Sequence, residues 1–76
     1  LKGNVSISKL AISADGKTLF GGSDDGNIKV WDIETGKETR ILKGHSERIE
    51  SLNISLNGET LVSGAWDGSV KLWNIK

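Results

Sequence analysis

His45, Ser63 and Asp67 are the three side-chain types of a hydrolase triad, and His45 is the only histidine in the 76-residue chain. In such a triad the imidazole takes the serine proton while the carboxylate holds the ring in place. The chemistry also needs a serine on a strained turn and backbone N–H donors for the oxyanion, commonly at a helix N-terminus. Ser63 instead sits ahead of an Asp67-Gly68 turn, and no helical pattern follows it. A hydrolase is disfavoured on these grounds. A second stretch, Gly21-Gly22-Ser23-Asp24-Asp25-Gly26-Asn27, has the residue types of a phosphate cradle or a calcium loop. It lacks the lysine and strand-to-helix setting of the first, and the spaced carboxylates and closing glutamate of the second. A plain hairpin accounts for it. No catalytic residue, cofactor or metal ligand is assigned.

Composition narrows the classes further. Ten basic and ten acidic residues cancel without bunching, so neither nucleic acid nor an anionic membrane surface is indicated as a partner. The chain contains no cysteine, which removes disulfides and thiolate sites. No apolar run approaches the roughly 20 residues of a membrane span, and the start does not resemble a signal peptide. A chain this short buries only about 60% of its unfolded surface, so alone it is expected to be marginal.

The elements that must position these residues read as strands. Alternating stretches at about 5–13, 17–22, 27–32 and 38–43 are followed by others at about 48–55, 60–65 and 69–74. Asp-Gly or Asn-Gly pairs separate several of them, and Asp67-Gly68 reads as the two central residues of a type I′ hairpin turn. A helix over 46–56 competes through Ile49, Leu52 and Leu56, but Asn53, Ser55 and Asn57 are poor helix formers and strand is favoured.

The series repeats. Trp31 and Trp73 lie 42 positions apart, and at the same offset Ile7 matches Ile49, Leu10 matches Leu52, Ile12 matches Ile54 and Leu19 matches Leu61. Gly22 matches Gly64, and Asp25-Gly26 matches Asp67-Gly68. A period in the low forties with four strands per period is the mark of a propeller blade. With Gly44-His45, Ser13-Ala14-Asp15-Gly16, Trp31-Asp32 and Trp73-Asn74 in place, the chain resembles two consecutive WD40 repeats.

The resemblance implies an all-β fold of four-stranded antiparallel blades, with a first repeat at 1–43 and a second at 44–76. Two periods of 42 would need 84 residues against 76, so the second blade is expected to lack its outer strand. Leu1-Lys2-Gly3 reads as the end of an outer strand from a preceding blade. The resemblance also implies a bracing tetrad in each blade, on His45, Ser63, Asp67 and Trp73 in the second. In the first, Asp25 and Trp31 match, Gly21 stands at the serine position and the histidine position falls near Asn4, so that tetrad is broken and its blade is expected to be less rigid. Trp66, at the position of Asp24 in the first repeat, has no structural duty and opens by resemblance onto the face where partners dock. Arg48 and Glu47 lie at the same mouth, and with Trp66 and its counterpart Asp24 they are the four candidates for partner contact. The implied role is a non-catalytic scaffold for protein or peptide partners. A lectin-like propeller with Trp66 stacking on a sugar is the alternative. Further blades, from a longer parent chain or from other copies in a homo-oligomeric ring, are expected to cover the two outer faces.

Overall fold

Period-two alternation broken every ten or so residues by a glycine turn produces two meanders. The computed structural model describes residues 6–75. The first sheet holds β1 (Ile7–Ile12), β2 (Thr18–Ser23), β3 (Ile28–Asp32) and β4 (Glu38–Leu42), in that spatial order. The second holds β5 (Ile49–Ile54), β6 (Thr60–Ala65) and β7 (Val70–Asn74). Every neighbouring pair is antiparallel. The readings placed on Leu1-Lys2-Gly3, Asn4 and Val5 lie outside the described residues.

The repeat extends to irregularities. The β1–β2 register slips between Ile7 and Lys9, and the β5–β6 register slips between Ile49 and Ser51, the same positions 42 apart. Each slip leaves one residue, Ser8 or Glu50, without a Cα partner in the ladder.

The turn chemistry corrects the sequence reading. A type I′ turn puts both central residues at positive φ, yet among the described residues none other than glycine has positive φ. Gly68 (φ 85°) and Gly26 (φ 89°) alone carry it in the two hairpins. The N–H of Gly68 bonds the carbonyl of Ala65 at 3.0 Å, and the N–H of Ala65 bonds the carbonyl of Ser69 at 3.1 Å. The loop is therefore Trp66-Asp67-Gly68, a type I turn closed by a left-handed glycine, which relieves Asp67 of any strain. Asp24-Asp25-Gly26 repeats it. One consequence is that Trp66 heads the loop instead of ending a strand.

The core lies between the sheets. Phe20, Ile28, Val30 and Leu42 of the first sheet meet Ile49, Leu52, Leu61 and Ala65 of the second. Ile49 nests directly on Gly22: a Cβ there would stand 2.4 Å from its Cγ2. Only a glycine permits that approach. The Ser8 hydroxyl lies 2.8 Å from the Ile49 carbonyl and 3.1 Å from the Gly22 carbonyl, tying the blades at the slip.

Candidate functional site

Trp73, Ser63 and His45 come together, and Asp67 joins them through a residue that the sequence reading missed. The indole N–H of Trp73 donates to Ser63 Oγ at 2.8 Å. His45 Nε2 lies 2.7 Å from the same oxygen, and His45 Nδ1 lies 2.7 Å from Ser69 Oγ. The Ser69 hydroxyl donates to Asp67 Oδ1 at 2.5 Å. Asp67 and His45 Nδ1 are 4.0 Å apart, too far for a direct hydrogen bond, so the serine bridge connects carboxylate and imidazole instead.

The donors fix the order. A carboxylate only accepts, so Ser69 spends its proton on Asp67 and takes one from His45 Nδ1–H. Nε2 is then the lone pair that accepts from Ser63, whose oxygen accepts from Trp73. Each link has one donor and one acceptor when the ring is neutral. Burial pushes His45 below its ordinary value of 6.5, with Asp67 opposing and Lys71 adding to the shift. The Asp67 carboxyl is held far below the usual carboxylate range, first by the Ser69 hydroxyl and then by the Ser46 N–H. Ser46 contributes its N–H at 3.0 Å and its hydroxyl at 2.9 Å to Asp67 Oδ2.

This geometry does not suit a nucleophile. Ser63 is fully buried between Trp73 and His45, with its oxygen already accepting an indole proton. Among the described residues no three His, Asp or Glu side chains gather in a way that could hold a metal ion.

The first blade solves the same problem differently. The ring of Trp31 is buried against Gly21, where a Cβ would meet Trp31 Cζ3 at 2.7 Å. Asp25 is taken by the hydroxyl of buried Ser23 and by the Asn27 N–H at 3.0 Å, which together hold its carboxyl low. Ser23 aligns with Ala65 and Asn27 with Ser69. The signal that could have found these partners is a short one. A Ser two places before Asp or Asn, followed by Gly, recurs at Ser13-Asp15, Ser23-Asp25 and Ser55-Asn57, and each pair is hydrogen-bonded.

The four residues proposed for partner contact do converge. Trp66 is 60% exposed, and Arg48 lays its guanidinium over the ring with Cζ 5.0 Å from the centroid. Arg48 Nε lies 3.4 Å from Asp24 Oδ1, across the boundary between the two blades. Glu47 and Ser46 line the same open depression. The backbone holds the group in place. The Trp66 N–H bonds the Arg48 carbonyl at 3.0 Å, and Gly26 packs beneath the carbonyls of His45 and Glu47. The depression is thus built from hairpin β2–β3, hairpin β6–β7 and the connection between the blades.

The model of the WD40 family, described as WD domain, G-beta repeat, matches residues 1–32 and 36–74. Autophagy-related protein 16 of Arabidopsis thaliana is 45% identical over 42 residues, which is 55% of this chain and 8% of that protein. The general transcriptional corepressor TUP1 of Saccharomyces cerevisiae is 44% identical over 45 residues, 59% of this chain and 6% of that one. Among solved structures, the β-propeller domain of Myceliophteria thermophila Cps50 (Swd1) superposes with a TM-score of 0.86 at 35% identity, over 91% of this chain and 22% of that one. The computationally designed Ika4 protein gives a TM-score of 0.81 at 41% identity, covering 93% of this chain and 42% of Ika4. The chain therefore spans about a tenth or less of those two curated relatives.

Proposed function

The chain belongs to the WD40 family, and from that membership we propose that it is a non-catalytic scaffold unit holding a protein or peptide partner on the Trp66 end. The observation that supports this reading is the convergence of Trp66, Arg48, Asp24 and Glu47 in one depression shared by both blades. Tryptophan and arginine are both among the residue types enriched at interface hot spots. Arg48 is held against the ring and Asp24, so it is partly ordered before a partner arrives and less entropy is lost on docking. The His45–Ser63–Asp67–Trp73 network is assigned a bracing role beneath that surface, with Ser69 as its fifth member.

Peptide-library selection on the 76-residue chain tests the reading. Selected peptides should lose roughly tenfold or more in affinity with Trp66→Ala, at about 1.4 kcal/mol per decade, while the melting temperature stays close to that of the parent. Retention of full affinity in Trp66→Ala and Arg48→Ala would overturn it. Binding on a glycan array that disappears with Trp66→Ala would replace it with the lectin reading.

A further inference from the structure

Asn57 is the one asparagine in the chain that is followed by glycine. An asparagine side chain reacts with its own backbone when the amide nitrogen of the next residue attacks Cγ, and bulk on that next residue blocks the approach. Asn4 precedes Val5, and Asn27, Asn53 and Asn74 precede Ile28, Ile54 and Ile75. A branched Cβ crowds the nitrogen in each of these pairs. Gly58 offers no such obstacle, and the space where its Cβ would stand has no other atom within 4 Å. Asn57 itself is exposed, in the turn that joins β5 to β6.

We propose that Asn57 is a site of spontaneous deamidation, that opening of its turn sets the rate, and that only one of the two products can rebuild the turn. In the reaction Gly58 N bonds to Asn57 Cγ, its proton passes to solvent base, and Nδ2 leaves as ammonia after taking a proton from water. Water then opens the succinimide ring. Breaking the bond from Gly58 N to Cγ gives an ordinary aspartate. Breaking the bond to the main-chain carbonyl gives isoaspartate, whose backbone runs through Cγ and is longer by a carbon. The closed turn holds both reacting groups. Gly58 N–H donates to the Ser55 carbonyl at 2.9 Å, and Asn57 Oδ1 accepts from the Ser55 hydroxyl at 2.6 Å and from the Glu59 N–H at 3.0 Å. Attack needs that amide proton removed and the side chain turned onto the nitrogen, so these bonds must break first.

The first repeat already displays the aspartate product. Asp15 is the counterpart of Asn57 and Gly16 of Gly58. Asp15 Oδ1 accepts from the Ser13 hydroxyl at 2.6 Å and from the Lys17 N–H at 2.9 Å, and Gly16 and Gly58 share a φ of 73°. Aspartate at position 57 therefore keeps the acceptor contacts of the amide. Isoaspartate moves the carboxylate to Cα and lengthens the main chain, so the Gly58 and Glu59 N–H groups lose their partners. The β5–β6 pairing, which carries Leu52 and Leu61 of the core, then lacks its closing turn. The experiment is incubation of the 76-residue chain in mildly alkaline buffer, with and without guanidinium chloride, followed by peptide mapping and an isoaspartate methyltransferase assay. Deamidation should be confined to Asn57 and should run roughly tenfold or more slower without denaturant, because only the open fraction of the turn reacts. Ser55→Ala removes the hydroxyl that holds Asn57 Oδ1 and the Thr60 N–H, and should recover several-fold of that rate with β-sheet circular dichroism retained. The comparison with denaturant carries the test alone should that variant unfold. Asn57→Asp should melt close to the parent, and the isoaspartate fraction isolated from aged protein should melt lower. Faster deamidation at another asparagine, equal rates with and without denaturant, a folded Ser55→Ala that reacts no faster, or isoaspartate protein as stable as Asn57→Asp would overturn the inference.

Discussion

The two blades share a backbone down to their register slips, yet they hold their tryptophans by different means. In the second, polar atoms form a chain from Trp73 through Ser63, His45 and Ser69 to Asp67. In the first, Trp31 lies on bare backbone at Gly21 while Ser23 satisfies Asp25 within its own hairpin. The switch is the pair Ser23 and Ala65. Where a serine precedes the turn, the Asp is consumed locally. Where an alanine stands there, the Asp is available to Ser69 and Ser46 and so to the histidine. The same fold is braced by packing in one copy and by directed hydrogen bonds in the other, and a single hydroxyl helps to decide which.

The comparison breaks most sharply at the position that differs only in what covers it. Ile49 is fully buried between the blades and Ile7, its counterpart, is half-exposed. Ile49→Ala removes the side chain that fills the Gly22 hollow and should cost about 2–5 kcal/mol. Ile7→Ala should cost well under half of that in the dilute protein. Urea denaturation of both variants checks the difference, and equal losses would mean that the blade interface contributes little to stability.

A second pair exchanges the serine position. Ser63→Ala leaves Trp73 Nε1 and His45 Nε2 without their shared partner and should cost about 1–3 kcal/mol. Gly21→Ser restores the missing motif residue to the first blade, and motif logic alone expects a gain. The packing predicts a loss of about 1–3 kcal/mol, because the new Cβ would press on Trp31 at 2.7 Å and on Ile7 at 3.2 Å. A more stable Gly21→Ser protein would show that Trp31 can move off the backbone and that the two bracing schemes are interchangeable.

These particulars also show how far the sequence could be read. The strands and their repeat were legible because alternation and the 42-residue offset are properties of the chain itself. The Trp66 neighbourhood was legible through the family resemblance, which puts Trp66, Arg48 and Glu47 at the mouth of one face, and not through the residues alone. The hairpin type was not, since Asp-Gly fits a two-residue turn or the last two places of a three-residue loop, and only the hydrogen bonds of Ala65 separate them. Ser69 was hidden for a similar reason. It looked like the first residue of a strand, and its role depends on a distance of 4.0 Å that leaves Asp67 short of His45.

The smallest expected effect is the pH response, and it should distinguish the blades because only one contains a histidine. Burial lowers His45 below 6.5, so the unfolded chain binds that proton more tightly than the folded one. Stability from this group is complete above about pH 6.5 and is lost as pH falls below it toward the lowered value. The carboxyls of Asp25 and Asp67 are held low in both blades, so their contribution is present above the ordinary value of 3.8 and disappears only below it. Between pH 7.5 and 5.5, then, only the second blade should weaken. Amide exchange, corrected for intrinsic rates, should show protection falling in β6 and β7 while β2 and β3 hold theirs. A parallel fall in both sheets would mean that they open only as one unit, joined at Ile49 and Gly22, and that the histidine chain stabilises the pair of blades instead of its own.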